Sequence, residues 1–516
     1  MNWPLSVKLS PKKYVSGNGL ACVSAPVLKT ANNMAKCVFL IVTPFIVLFV
    51  DLEHNRKPPL AKRPVNGCTT KQHIYNTLTS VYVVAMNSRP LNIAIIGSGM
   101  AGLTAAYVLK QHGHHISLYE SQAKSGLDAH STAFAGGMID APLRVMNPQL
   151  WSHTLALAAH VGIDLYRVRT DMACSWMDGN AVGKTWFSTR RQAGLGFPVL
   201  GSWRHAKQIP ALALGLYQLK QALKHTAETD TTLSLSEWLQ AHAIHPLFWH
   251  GCVVPVLLTV CTCDVATLMR WPARPLLVFV NLLLRDAGLY RLHGGTQALA
   301  NALKQGVALL NHTTVSAIHQ NHEQIFVRDA AEHTRTYDHV IVATPTQACG
   351  FVDEQQFAQE KQALQQLPYS SGELISHTDD SVMPHQRRDW SPLHYSMRRD
   401  FSAHSFSVWL NPIEESLRQQ PQAVFQTWNS LSPINDAAIV QHTYLTRAVC
   451  TPESLLTVKR LQRLQADAPT GQRRLWLCGS WSCDGLPVLE SAVTSALTVC
   501  QHLGTSLPLQ PAPILP

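Results

Sequence analysis

The stretch that most constrains this 516-residue chain lies near its first fifth. Leu91-Asn-Ile-Ala-Ile-Ile96 is a short apolar run of the kind that forms a buried parallel strand. Gly97-Ser98-Gly99-Met100-Ala101-Gly102 follows, then Leu103 to His112 with helix-forming composition, then a second strand from His115 to Glu120. Gly97 permits the tight turn, Gly99 lets backbone approach a pyrophosphate, and Gly102 lets helix and strand pack closely. The helix start presents unpaired N–H groups and a positive dipole end to phosphates. Glu120 stands where a carboxylate can accept hydrogen bonds from a ribose diol, and it would repel a 2′-phosphate, so NADP is disfavoured. Strand, glycines, helix, strand and acid in this order predict dinucleotide binding. They do not separate FAD from NAD.

An NAD dehydrogenase should continue its βαβα pattern at once. This chain instead enters a Gly/Ser/Ala/His-rich loop (Ser121 to Gly137), then Gly137-Met-Ile-Asp-Ala-Pro-Leu-Arg-Val-Met-Asn-Pro148, and an apolar-periodic helix from Gln149 to Val161. From here the sequence resembles the flavin-containing amine oxidase superfamily, which also covers phytoene desaturases and protoporphyrinogen oxidases, and within it an amine-oxidase-like FAD/NAD(P)-binding subgroup. Leu292-His-Gly-Gly-Thr to Leu303, Val307 to Leu310, Thr314 to Ile318 and Tyr337 to Pro345 are similar to successive superfamily segments. So are His377 to Pro384, Phe406 to Asn411, Leu475 to Ser480 and Gly485 to Val493.

The resemblance spans 90–510 and implies an α/β fold: a Rossmann-like FAD-binding domain with an inserted α+β substrate domain, two-lobed. It divides the chain into a discontinuous FAD-binding domain (86–150, 288–350, 455–512) and a substrate domain (151–287, 351–454). It also implies FAD contacts from Gly97, Ser98, Gly99, Met100, Ala101, Gly102 and Glu120. Val315 would meet the adenine through its backbone, and Gly479, Ser480, Leu489 and Glu490 would lie beside the flavin. A helix beginning near Pro487 would aim another positive end at the cofactor. Two departures stand out. Lys124-Ser-Gly-Leu-Asp128 keeps one glycine of the usual pair and lacks the adjacent basic residue. Glu490-Ser-Ala replaces the more usual Glu-Gly.

Charge bears on partners. The formal charge is +10, but residues 1–85 carry +8 of it, leaving the remainder close to neutral. A basic stripe alternating with aromatics is missing there, so nucleic acid is not expected. Membrane contact is expected only through residues 1–85. Their apolar segment 37–50, interrupted by Pro44, falls short of the ~20 residues that span a bilayer. That leader reads as disordered or foreign to the working protein. The scattered cysteines fit free thiols in a reducing, cytoplasmic setting, with membrane association through 37–50 as the alternative. HExxH and clustered His/Cys ligand spacing are absent, so no metal is expected.

The apolar run from Val253 to Leu284, interrupted by Asp264, Arg270 and Arg274, reads as helices, either lining a cavity for an apolar substrate or packing as plain core. Trp390, Tyr395, Trp409 and Trp428 read as core or as an aromatic cage. The chemistry implied is hydride transfer from a substrate C–H to the flavin, for which a dedicated base is optional. The catalytic residues are therefore left unassigned. His377 and Asp379 are candidates to orient substrate, and Arg144 to face a carboxylate or the flavin's pyrimidine edge. The leading function is an FAD-dependent oxidoreductase acting on a small or lipid-like apolar substrate. A flavin amine oxidase and a non-catalytic FAD-binding protein are the alternatives.

Overall fold

A computed structural model describes residues 89–169, 171–191, 198–200, 202–225, 232–283, 288–467 and 473–512. The leader reading, with its segment 37–50, lies outside them.

Five short strands form a parallel sheet: β1 (Asn92–Ile96), β2 (His115–Tyr119), β3 (Ala308–Leu310), β4 (His339–Val342) and β5 (Leu475–Leu477), in the order β3-β2-β1-β4-β5. Residues Ile93 to Ile96 are buried because both faces of the sheet are covered, which is why the strand is apolar without alternation. One face holds α1 (Met100–Gln111) and α5 (Leu489–His502), which pack on each other. Between them in sequence lie α2 (Ser152–His160), α3 (Val254–Cys261) and α4 (Ala273–Leu283). The strand order reverses beside β1, so the ligand crevice of such a sheet opens over the C-terminal ends of β1 and β4. An antiparallel meander of Val315–Gln320, Ile325–Asp329 and Thr334–Tyr337 is inserted between β3 and β4.

A second sheet has eight strands and is antiparallel except where Leu393–Met397 runs parallel to Met172–Asp178. The mixed α/β class with a Rossmann-like parallel sheet thus matches the expectation from sequence. Three details differ. The loop read over 121–137 contains a strand, Thr132–Phe134, paired with Gly137–Ile139 across Ala135-Gly136, whose φ values of 49 and 78° make a tight reversal. The helix read over 149–161 begins at Ser152, because Asn147 Oδ1 accepts from the N–H groups of Gln149 and Leu150 and holds a turn there. The span 150–290 contains strands as well as helices. Among the described residues no helix is long and apolar enough to cross a membrane.

The eight-stranded sheet buries polar side chains as well as apolar ones. His394 Nδ1–H donates to the Val382 carbonyl (3.1 Å) and its Nε2 accepts from the Ser175 hydroxyl (3.0 Å). His377 Nε2 meets the Thr427 hydroxyl at 2.8 Å. Both rings are fully buried, and burial pushes each from an ordinary 6.5 down to about 4. An unfolded chain takes up these protons near 6.5, whereas the folded one resists until about 4. Stability is therefore complete above the upper value and lost as pH falls through the window, each ring contributing on the order of 3 kcal/mol at its bottom. Thermal melts across that range should show a steady fall, with proton uptake on unfolding.

Candidate flavin and substrate site

The glycine turn leaves β1 directly. Gly97 has φ +100°, and its N–H donates to Tyr119 O (2.9 Å). A Cβ on Gly102 would stand 1.9 Å from Gly97 O, so turn and helix touch backbone to backbone. Gly99 is the N-cap of α1, no side chain caps that helix, and a Cβ built on Gly99 would meet nothing within 4 Å. A buried, uncapped helix start with room above its cap residue fits a phosphate pair.

Ser98 and Glu120 are bonded to each other. Ser98 is fully buried, and both its N–H (3.1 Å) and its hydroxyl (2.5 Å) donate to Glu120 Oε2. The Gly126 N–H donates in turn to Ser98 Oγ (2.9 Å), and Gln122 N–H donates to Glu120 Oε1 (3.0 Å). Glu120 thus braces the turn and ties the 125–128 loop to it. This bracing is what the shortened Lys124-Ser-Gly-Leu-Asp128 segment contributes. Val315 opens its strand with the side chain in the core, leaving its backbone at a register irregularity before Ala317.

At the other end of the site, α5 begins at Leu489 with Val488 as N-cap and no side-chain cap. Gly479 directs its N–H to Ser495 Oγ (3.0 Å) and its carbonyl to the Ser482 hydroxyl (2.9 Å), so its backbone is used within the protein, with half-buried Ser480 beside it. Glu490 is engaged within the protein. Its carboxylate accepts from Ser152 Oγ, the N–H and ring of His153, and the N–H and hydroxyl of Thr154, at 2.7 to 3.2 Å. It caps α2 from α5, a favourable place for an anion at a helix start. Glu490→Ala should cost about 1–2 kcal/mol in denaturant melts while leaving flavin content unchanged.

Between this helix end and the eight-stranded sheet lies a cavity of ≈ 280 Å³. Val488 and Leu489 form one wall, residues 142–147 another, and α3 and α4 contribute Val256, Val260, Phe279 and Leu283. The sheet adds Leu374, Tyr395, Phe406, Trp428 and, at its edge, Arg447. Tyr395 stacks on Phe406 with centroids 4.8 Å apart. Of the aromatic residues singled out, Tyr395 and Trp428 thus reach the cavity, whereas Trp390 and Trp409 pack edge to face around a satellite core. The 253–284 run supplies both core and cavity wall. His377 is absent from the lining, and Asp379 accepts from the N–H groups of Ser381 (2.9 Å) and Asn435 (2.8 Å) as a loop cap.

Arg144 does line the cavity. Burial, with help from nearby Arg447, pushes its guanidinium down to about 10, against an opposing pull from Asp140. Arg447 is also pushed down by burial. Sequence reasoning missed Arg447, although Ile439–Ala448 carried a signal: His442, Tyr444 and Thr446 are exposed, which turns Thr443, Leu445 and Arg447 inward. Among the described residues no group of His, Cys, Asp and Glu is placed to hold a metal.

Residues 100–503 match the sequence profile described as flavin containing amine oxidoreductase. A 90-residue stretch is 34% identical to 1-hydroxycarotenoid 3,4-desaturase of Flavobacterium sp. (strain P99-3), covering 17% of this chain and 18% of that enzyme. The fold is similar to a structure designated a protoporphyrinogen oxidase from Exiguobacterium sp. 255-15. That match has TM-score 0.54 and 15% identity, over 81% of this chain and 99% of that one. It is also similar to wild-type putrescine oxidase bound to putrescine, with TM-score 0.56 and 12% identity, over 81% and 99% of the two chains.

Proposed function

Because the chain belongs to the flavin-containing amine oxidoreductase family, we propose that it is an FAD-dependent oxidoreductase taking a hydride from a small apolar or lipid-like substrate held in the cavity. The observation that carries this reading is the wall formed by Val488 and Leu489. The cavity reaches the uncapped start of α5, the helix that packs on α1 and its glycine turn. That turn supports FAD over a flavin with a single phosphate, since an uncapped helix start with open space over Gly99 suits a diphosphate.

When bound, the flavin supplies a two-electron acceptor whose reduced ring carries negative charge. The N–H groups at Met100 to Gly102 would hold the diphosphate, the Val315 backbone the adenine, and the start of α5 the ring system. The cavity walls exclude water and position a C–H bond, and the Tyr395 hydroxyl is occupied by Thr259. An amine oxidase is the second reading, favoured by the aromatic wall of Tyr395, Phe406 and Trp428.

The test is to purify the full chain, record its visible spectrum, release the chromophore with acid and identify it by chromatography. FAD whose bands bleach anaerobically with an apolar acid, alcohol or polyene supports the reading. Bleaching by amines alone shifts it to the second, and a colourless protein that cannot be loaded with flavin overturns both.

A further inference from the structure

Two cations, Arg144 and Arg447, line a largely apolar cavity, and among the described residues neither has an anionic partner. Among the described residues the Arg144 guanidinium makes no hydrogen bond or ion pair, and only the residue's carbonyl is engaged, by Arg291. Arg447 donates to the Val260 carbonyl, which carries no net charge. The carboxylate nearest in effect, Asp140, is taken up by Ser131, Thr296 and Arg291. His130 also stands near Arg144, and burial and that arginine's charge both push its pKa below the usual histidine value. Each arginine feels the cost of burial, and Arg144 feels the repulsion of Arg447 as well. Both arginines are partly buried, and unpaired charge held away from bulk water is expensive, so an anionic ligand would complete the arrangement.

The start of α5 at Val488 and Leu489 already brings a positive end to the cavity, enough for the single charge of a reduced ring. We propose that Arg144 and Arg447 bind the carboxylate of the substrate, and that the substrate is an apolar carboxylic acid whose body lies against Val260, Phe279, Leu374, Phe406 and Trp428. A guanidinium fork matches a carboxylate, and the lining hydroxyls (Thr189, Thr262, and Thr259, which donates to the Pro255 carbonyl) are too sparse for a doubly charged phosphate. The same field repels an ammonium, which separates this substrate class from amines. This inference rests on the cavity being the substrate site of the oxidoreductase.

The test uses the full-length, flavin-loaded protein and calorimetric titration with decanoate, decanol and decylamine. Decanoate should bind about tenfold or more tighter than either of the others. Arg144→Gln and Arg447→Gln should each remove most of that preference, while Arg144→Lys keeps part of it. Decanol or decylamine binding as tightly as decanoate overturns the proposal, and this comparison needs no variant. Glutamine variants that release flavin but hold decanoate as before also overturn it, since the arginines then serve the cofactor. Calorimetry reads binding whether or not the flavin turns over. A protein that binds decanoate selectively but never bleaches therefore counts against the redox reading and not against this one.

Discussion

Gly102→Ala is expected to give a protein that neither folds stably nor retains flavin. The new Cβ would sit 1.9 Å from the Gly97 carbonyl oxygen and 3.3 Å from Ala343 Cβ, so the clash is with backbone that cannot swing aside. Overpacking of this kind costs about 3 kcal/mol or more, here at the junction of β1, β4 and α1. Gly99→Ala is the informative partner. Its Cβ points into open space, so folding should be unchanged, while the methyl group occupies the approach to the helix start. Urea melts together with the flavin-to-protein absorbance ratio separate the two: both readings fall for Gly102→Ala, and only the second falls for Gly99→Ala.

Arg291→Met should be the most damaging substitution that leaves every glycine in place. Arg291 is 1% exposed and gathers four partners: Asp140 Oδ2 (3.2 Å), Glu414 Oε2, the Tyr166 hydroxyl (3.1 Å) and the Arg144 carbonyl (3.0 Å). Methionine fills much of the volume but leaves two buried carboxylates uncompensated, a loss of about 3–5 kcal/mol. Neutralising those carboxylates as well, through Asp140→Asn and Glu414→Gln, should recover a large part of the loss. Urea denaturation of the single and triple variants measures both effects. The single variant should also bind decanoate more weakly than its melting alone accounts for, because Arg291 holds the backbone of Arg144.

The parts of this fold that are legible in the sequence are those made by near neighbours. Strand, glycine turn, helix and second strand over 91–120 follow from local rules, and their packing partners are supplied later by the chain. The eight-stranded sheet is far less legible. Its strands carry Ser371, Ser376, Ser396, Ser405 and Ser407 and buried His377 and His394, so the usual alternation of apolar and polar residues is blurred. Arg291 and Glu414 become a pair only through the tertiary fold, and nothing in either segment announces the other. Glu490 is a case of a different kind. It stands in a segment that resembles a cofactor contact, yet its carboxylate serves α2, which no local pattern reveals. Arg144 was readable as a residue in want of an anion, whereas Arg447, its companion, needed the strand's inward face.

The order in which the sheet is assembled has a consequence for synthesis. The glycine turn precedes β5 and α5, which border β4 and α1, by most of the described chain. A nascent chain therefore holds half a cradle through most of translation, with its closing contacts as distant in sequence as the fold permits. A flavin held between these elements needs both, and a supply of cofactor during expression should raise the yield of loaded protein without speeding the appearance of the chain itself.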